Sequence, residues 1–190
     1  MAVLVLDCET KKEFSEVGRN FPERLGVSLV GIFDYSDNLL FAFREEALGN
    51  LRAKLAGASL VVGYNIKGFD WPVLQPYFPE MKLAKLPTLD LMEDIANNLG
   101  FRVGLSNAAS ATLGIGKTGH GLDAIRYFRE GRWDELEKYC LHDVAITKDL
   151  YEFGAEHGFV KAETRDRGIV EVPVSWKRVL EPAMVNGTLF

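Results

Sequence analysis

Three short apolar segments near the start of the chain predict strands. Val3–Leu6, Val27–Phe33 and Leu39–Phe43 are rich in β-forming residues, and the polar, turn-like residues 34–38 separate the second segment from the third. Apolar segments of this composition between turn residues are typical of β-strands. The pattern predicts an antiparallel meander of three strands.

Helices and strands are predicted to alternate after the meander. Glu45–Leu55 carries leucines at helical spacing and Gly57 ends it, after which Ser59–Val62 is again a short apolar strand. Pro72 suits the first turn of a further short helix, because proline lacks the N–H that this turn leaves unpaired. Leu86–Leu89 then predicts a fifth strand.

The second half of the chain is predicted to be largely helical. Apolar residues recur at helical spacing from Leu91 onward, except in the glycine-rich segment Gly114–Gly121, which predicts a loop. The last helix has the clearest apolar face, and Gly154 and Gly158 mark its end. The residues on that face are Leu136, Tyr139, Cys140, Asp143, Val144, Thr147, Leu150 and Tyr151.

The end of the chain predicts a small addition to the main domain. Gly168–Ser175 is a strand candidate, and Val160–Ala162 is its partner in a hairpin. No periodicity is present from Leu180 onward, which predicts a loose tail. We therefore expect one domain over residues 1–158, followed by a C-terminal β-hairpin extension and tail over residues 159–190.

These elements predict an α/β fold with a central mixed five-stranded sheet, the meander plus parallel strands, flanked by helices. A chain of 190 residues, 47% of them hydrophobic, is long enough for one globular core.

Cys8 and Cys140 lie in apolar segments and lack the paired spacing of a zinc site or a disulfide framework. The N-terminal apolar run meets Asp7 too soon for a signal peptide or a membrane span. We expect a cytoplasmic protein without membrane contact, monomeric by default.

Charge is unevenly distributed along the sequence. The net charge is −5, yet five basic and two acidic residues between Gly100 and Arg132 give that segment +3, so the remainder carries −8. An overall negative charge argues against a protein that passively coats nucleic acid. The basic segment is either a region that attracts phosphates or simply a solvated helix face.

Acidic residues recur at three separate points where strands or helices are predicted. Asp7 and Glu9 stand two apart at the end of the first strand, so their side chains point to one face, although D-x-E by itself is also a frequent surface accident. Asp70 follows a strand and precedes Pro72, where it either caps the helix or binds a metal. Asp143 lies on the apolar face of the last helix, where no basic residue one turn away is available to pair with it.

In this order, D-x-E-T (residues 7–10), N-x-x-x-F-D (65–70) and Y-x-x-x-D (139–143) resemble the three exonuclease motifs of the DEDD superfamily. Tyr139 places the resemblance in the DEDDy branch, since the histidine branch would need histidine at position 138, which is Lys138. The chain is similar over Val3 to Tyr151 to proofreading domains of family B DNA polymerases and to stand-alone or helicase-attached bacterial domains. The resemblance implies a ribonuclease H-like fold.

The resemblance also implies a chemistry. Asp7, Glu9 and Asp143 would hold one divalent cation, Asp7 would bridge to a second, and Asp70 would support the second through water. Mg²⁺ or Mn²⁺ suits such oxygen ligands. Tyr139 would orient the attacking water, and the reaction would be 3′–5′ exonucleolytic hydrolysis that releases nucleoside 5′-monophosphates.

The expected substrate is the single-stranded 3′ end of a nucleic acid, with a helicase or a polymerase as a candidate partner. A basic side chain of the Gly100–Arg132 segment would contact the phosphate backbone, and an aromatic ring would stack on a base unless it serves as core packing. The candidate substrate-binding residues are Thr10, Asn65, Phe69, Lys117 and Arg126.

Two other functions are compatible with the same residues. A catalytically silent domain of this fold would use the cleft to bind nucleic acid or a protein partner, although such domains usually lose acids that are present in this chain. An endonuclease of the same fold would share the carboxylates and would not need Tyr139.

Overall fold

The computed structural model describes residues 2–115 and 121–177. The main sheet has the strand order β3-β2-β1-β4-β5, in which the first three strands pair antiparallel and β1, β4 and β5 pair parallel. Its strands are β1 (Ala2–Thr10), β2 (Val27–Asp34), β3 (Leu39–Arg44), β4 (Ala58–Gly63) and β5 (Thr88–Asp90). The predicted meander and mixed five-stranded sheet are confirmed.

Helices cover both faces of this sheet. In chain order they are α1 (Phe14–Val17), α2 (Leu48–Gly57), α3 (Asp70–Leu74), α4 (Leu91–Leu99), α5 (Leu105–Leu113), α6 (Gly121–Arg129) and α7 (Trp133–His157). Short 3₁₀ turns precede α2 and follow α3, so α2 begins at Leu48 rather than at the predicted Glu45. Among the described residues, no helix is long and apolar enough to cross a bilayer.

The alternation of side chains along β1 divides the core into two layers. Leu4, Leu6 and Cys8 pack with α2 and α3 on one face of the sheet, whereas Val5 packs with α4, α5 and α7 on the other. Successive residues of a strand point to opposite faces, so Asp7 and Glu9 share the α7 face with Val5. The fold thus directs both acids toward the helix that carries Asp143.

Among the boundaries that differ from the sequence prediction, two have a physical cause in the contacts around them. The fifth strand starts at Thr88 rather than Leu86, because the Leu86 carbonyl accepts a hydrogen bond from the Thr88 hydroxyl and only the carbonyl of Pro87 reaches β4. Gly154 lies inside α7 instead of ending it. The ring of Trp176 packs against Gly154 where a Cβ would stand, so this glycine serves packing, and α7 ends at Gly158 with a left-handed φ of 76°.

A two-stranded antiparallel hairpin follows α7, as predicted. It consists of β6 (Phe159–Thr164) and β7 (Gly168–Pro173), and its apolar side chains join the cluster formed by α4, α5 and α7. The division into domains over residues 1–158 and 159–190 stays a prediction. The expected tail from Leu180 and most of the expected glycine-rich loop lie outside the described residues.

Candidate active site

A β-bulge lies where β1 delivers its acids. The pairing of β1 with β2 is regular from Leu4 opposite Asp34 to Glu9 opposite Leu29, after which Thr10 pairs with Val27. Ser28 is therefore the extra residue of β2, and its buried hydroxyl has no hydrogen-bond partner among the described residues. Bulges of this kind redirect the strand and are frequent beside functional sites.

Asp7, Glu9 and Cys140 converge above the sheet. One ligand atom from each of the three side chains lies within 4.8 Å of the other two, and Sγ of Cys140 lies 3.8 Å from Oδ2 of Asp7. Glu9 is only 9% exposed, and its carboxylate has no hydrogen bond or ion pair with the residues of 2–115 and 121–177. Gly31 permits this approach of α7, since a Cβ there would stand 2.9 Å from Sγ of Cys140.

Asp70 joins α3 to β1. It is the first residue of α3, is 2% exposed, and its Oδ1 accepts a hydrogen bond of 2.9 Å from the backbone N–H of Cys8. The alternative reading as a helix cap is not observed, because Phe69 occupies the N-cap position and makes no side-chain cap. The carboxylate of Asp70 therefore lies beneath the strand that carries Asp7 and Glu9.

Tyr139 and Asp143 come from one side of α7 and face the same cleft as Asp7 and Glu9. The neighbouring Tyr139 phenol partly offsets the rise that burial causes in the pKa of Asp143, and the pKa of the phenol itself is raised by burial and by the charges of Asp143 and Glu9. The four acids predicted from three distant motifs thus meet in one region. Asp70 and Asp143 lie outside the tight group formed by Asp7, Glu9 and Cys140, but near enough for their charges to raise the pKa values of Asp7 and Glu9.

The electrostatics of the four acids oppose full ionisation. Burial raises the pKa of Glu9 to about 8, of Asp70 to about 7 and of Asp143 to about 6, and the charges of Asp143 and Asp70 add to the effect on Glu9. The pKa of Asp7 is also raised well above its ordinary value, first by burial and then by its three acidic neighbours.

Buried carboxylates without a cationic partner favour either protonation or the binding of cations. Carboxylate oxygens are the ligands that Mg²⁺ and Mn²⁺ prefer, so this set of donors fits a divalent metal centre.

An open cleft of about 780 Å³ leads to these residues. Asp7, Glu9, Tyr139 and Asp143 form its floor, and Leu122 and Ile125 of α6 line one side. On the other side lies the segment that we call the α1 wall, defined as residues 12–19, which contains α1. The cleft therefore gives a solvent-connected route to the acids.

Thr10 and Phe69, two of the predicted substrate-binding residues, line the cleft. The hydroxyl of Thr10 donates a hydrogen bond of 2.9 Å to the carbonyl of Lys12, which holds the start of the α1 wall. Phe69 packs edge-on against Phe14 at 6.0 Å between ring centroids and contacts the core cluster. Phe69 is thus both a packing residue and part of the cleft surface.

The other predicted substrate-binding residues are not brought together with them. Asn65 is not part of the cleft lining; its backbone has a φ of 65° and its N–H donates to Asp90. Arg126 is exposed, lies outside the lining and pairs with Asp123 at 2.9 Å. Lys117 lies outside the described residues.

Asp90 is a supporting residue that the sequence analysis missed. Its buried carboxylate caps α4 through the N–H of Glu93 and also accepts the backbone N–H groups of Asn65 and Lys67 at 2.9 and 3.0 Å. These bonds fix the turn between β4 and Asp70. A signal was present, since aspartate three residues before glutamate at the start of an apolar helix is typical of a capping box.

Comparisons with known proteins agree with the architecture. The family model described as RNase_H superfamily (RNase_H_2) matches residues 22–153, a range that includes Asp70 and Asp143 and begins after β1. A search of curated proteins found no match. Among solved structures, the family B DNA polymerase from the hyperthermophilic archaeon Pyrobaculum calidifontis matches with a TM-score of 0.60 and 21% identity, over 81% of this chain. This chain spans 24% of that polymerase, and at this identity the likeness concerns the fold. Because the family model covers more than half of the sequence, the chain belongs to the RNase H superfamily.

Proposed function

We propose that the chain is a 3′–5′ exonuclease that hydrolyses phosphodiester bonds of single-stranded nucleic acid with two divalent cations, Mg²⁺ or Mn²⁺. The observation that carries the proposal is the carboxylate of Glu9, which is nine-tenths buried beside Asp7 without a partner among the described residues. An unpaired buried charge is costly, and a divalent cation would compensate it.

The assignment of ligands follows the family resemblance. Asp7, Glu9 and Asp143 would hold one cation, Asp7 would also bind the second, and Asp70 would reach the second through water. The hydrogen bond from Cys8 to Asp70 supports such an outer role, because it occupies one oxygen of that carboxylate. Burial raises the pKa of the Cys140 thiol, which therefore stays protonated and supplies Asp7 with a hydrogen bond.

Cations bound in this centre would lower the pKa of an attacking water and stabilise the leaving 3′ oxygen. Tyr139 positions that water. Its pKa is raised above the ordinary value near 10, so the phenol remains protonated at neutral pH and does not act as the base. Tyr139 and Asp143 line the same cleft, and the phenol lowers the pKa of Asp143 relative to burial alone, so the Tyr139 hydroxyl lies near the candidate ligands.

The test is hydrolysis of a 5′-labelled single strand with Mg²⁺ or Mn²⁺, resolved on a denaturing gel. We expect a ladder that shortens from the 3′ end, release of nucleoside 5′-monophosphates, and no products with EDTA or with Asp7→Ala. An identical strand blocked at its 3′ hydroxyl should be cut more slowly, because the reaction begins at that end.

Other outcomes would identify the alternative functions. Internal cuts that persist on the blocked strand would show an endonuclease, and an intact but bound strand would show a silent binding domain. The family resemblance also leads us to propose action together with a helicase or a polymerase. The family B DNA polymerase described above is several times longer than this chain, and only 24% of it matches. Such a match is compatible with an association between this chain and a larger protein.

A further inference from the structure

Lys12 and Arg19 are the basic residues that line the cleft within the described part of the chain. Both are exposed, and neither side chain forms an ion pair or a hydrogen bond with a residue of 2–115 or 121–177. Many other cations of the protein are engaged: Lys11 pairs with Glu45, and Lys54 pairs with Asp34. Within the described part of the chain, two cations without a hydrogen bond or ion pair thus line a cleft whose other charged lining residues are acidic.

The acid at the centre of the α1 wall is already engaged. Glu16 pairs with Arg129 of α6 and accepts the backbone N–H of Glu13. This ion pair joins the α1 wall to the helix on the opposite side of the cleft. Arg129 is the ion-pair partner of Glu16, and Lys12 acts on Glu16 only through its charge, without an ion pair. The side chains of Lys12 and Arg19 are therefore available to contact a ligand.

Apolar surface faces the same space as the two cations. Leu122 is 63% exposed, and Ile125 and Phe14 line the cleft with it. Strands with unpaired bases combine phosphates that attract lysine and arginine with base faces that pack on apolar side chains. A duplex would present phosphates without its base faces, so the composition of this cleft favours a single strand.

We propose that Lys12 and Arg19 bind backbone phosphates of the single strand whose 3′ end enters the cleft, an inference that rests on the proposed function. The α1 wall, rather than the exposed and paired Arg126, then supplies the electrostatic contact with the substrate. The expectation that the basic segment between Gly100 and Arg132 supplies this contact stays a prediction and is the competing possibility in the test below.

Binding is measured separately from hydrolysis. Fluorescence anisotropy of a labelled oligothymidylate and a matched oligouridylate is recorded in Ca²⁺, with a gel to verify that each strand stays intact. The test variant is Lys12→Gln/Arg19→Gln. The matched control is Lys82→Gln/Lys85→Gln, which removes two exposed charges outside the cleft lining, and Arg126→Gln tests the competing site.

We expect the test variant to bind on the order of tenfold more weakly near 0.1 M salt. The slope of log K against log salt should become shallower by about 1.4, or about 0.7 for each phosphate contact that is lost. The lysine control and Arg126→Gln should keep the wild-type affinity and slope. Melting temperatures of all variants should match, since every substituted side chain is exposed.

Unchanged affinity and slope in the test variant, for both oligonucleotides, would overturn the inference. The same holds if Arg126→Gln accounts for the whole loss, or if the wild-type protein binds neither strand. Weaker binding of either oligonucleotide by the test variant supports the inference. Comparing oligothymidylate with oligouridylate shows whether the affinity depends on the sugar. If the test variant loses affinity while the wild-type protein cuts nothing with Mg²⁺ or Mn²⁺, the nuclease proposal fails and the phosphate contact stands.

Discussion

The two residues that α7 contributes to the cleft floor have different tasks in the proposed reaction. Asp143 is a candidate cation ligand, whereas Tyr139 is a protonated phenol that orients water. They stand one helical turn apart, so a single substitution at either position leaves the other in place. Their contributions can therefore be separated.

Tyr139→Phe should reduce the rate of hydrolysis less than Asp143→Ala. A phenol that does not serve as the base should cost less than about 10²-fold when removed, the low end of what general acid–base groups contribute. Loss of a cation ligand removes several kcal/mol of transition-state stabilisation, or about 10³-fold or more. Single-turnover rates at saturating Mn²⁺ measure both, and a Tyr139→Phe variant as inactive as Asp143→Ala would contradict the assigned role.

Buried acids make the cation-free protein sensitive to pH. Burial raises the pKa of Glu9 to about 8 and of Asp70 to about 7, above their ordinary values near 4 in an unfolded chain. The folded protein therefore binds more protons than the unfolded chain between about pH 4 and pH 8. Stability from these groups is complete below pH 4 and is lost as the pH rises through the raised values. In EDTA, the melting temperature should fall by about 5 °C or more from pH 5 to pH 8.5.

Two changes should each oppose the fall in melting temperature at high pH: the addition of divalent cations and the replacement of Glu9 by a neutral residue. Adding Mg²⁺ or Mn²⁺ at pH 8.5 should raise the melting temperature, because the ions bind the folded carboxylates. Glu9→Gln should melt higher than the wild-type protein in EDTA at pH 8.5 and gain less from the ions. Calorimetry in matched buffers measures both effects, and equal melting with and without cations would contradict a metal centre.

Helix α7 and strand β1 together form the floor of the cleft, and glycines set how closely other elements approach the helix. Gly31 lets α7 lie against β2, and Gly154 makes room for the ring of Trp176. That ring is held by a hydrogen bond of 2.7 Å to Asp94 and packs against Tyr151. It has little freedom to move away.

Gly154→Ala should destabilise the protein although alanine favours helices. The new methyl group would overlap a fixed ring, and overpacking costs about 1–3 kcal/mol against a gain of about 1 kcal/mol in helix propensity. Gly49→Ala in α2 is the matched control, because no described atom beyond its chain neighbours and its own helix backbone lies within 4 Å of its Cβ position, and it should stabilise by about 0.5 kcal/mol. Urea unfolding measures the two free energies, and a stabilising Gly154→Ala would contradict the packing.

Periodicity predicted the elements of the floor but not those of the wall. The alternation in β1 and the apolar face of α7 are strong local signals, so Asp7, Glu9 and Asp143 could be found from sequence. Lys12 and Arg19 flank a helix of four residues, which is too short to show a helical pattern of apolar residues in the sequence. Their importance depends on the ion pair between Glu16 and Arg129, which joins residues far apart in the chain.

The hairpin after α7 shares the core of the main sheet. Val160 and Ala162 of β6 and Val172 of β7 are almost fully buried with α4, α5 and α7, and Val174 and Trp176 extend the same cluster. Hairpins of two strands are marginal on their own. The hairpin therefore depends on α4, α5 and α7 for its stability, and in turn it covers part of the core that these helices form.

A chain that ends at Gly158 should be unfolded or prone to aggregation. Removing these buried side chains forfeits on the order of 5 kcal/mol or more, comparable with the whole stability of a typical domain. A chain that ends at Lys177 keeps the described hairpin and is the control, which should melt in one transition. Thermal melting followed by near-ultraviolet circular dichroism compares the tertiary structure of the two chains. A shorter chain that melts like the control would instead support a domain boundary after residue 158.

The extra residue in β2 divides that strand into two stretches of opposite phase. From Leu29 onward β2 keeps step with β1, whereas Val27 is displaced by one position. Deleting Ser28 would leave the sheet beyond Leu29 intact and shift only the connection that leads back to the α1 wall, by roughly one strand step of 3.3 Å. The position of this connection thus depends in part on one backbone residue, while the hydrogen bond from Thr10 to Lys12 and the ion pair between Glu16 and Arg129 also hold the wall. An insertion or deletion at this point would move the segment that leads to the wall without changing the register that places Asp7 and Glu9.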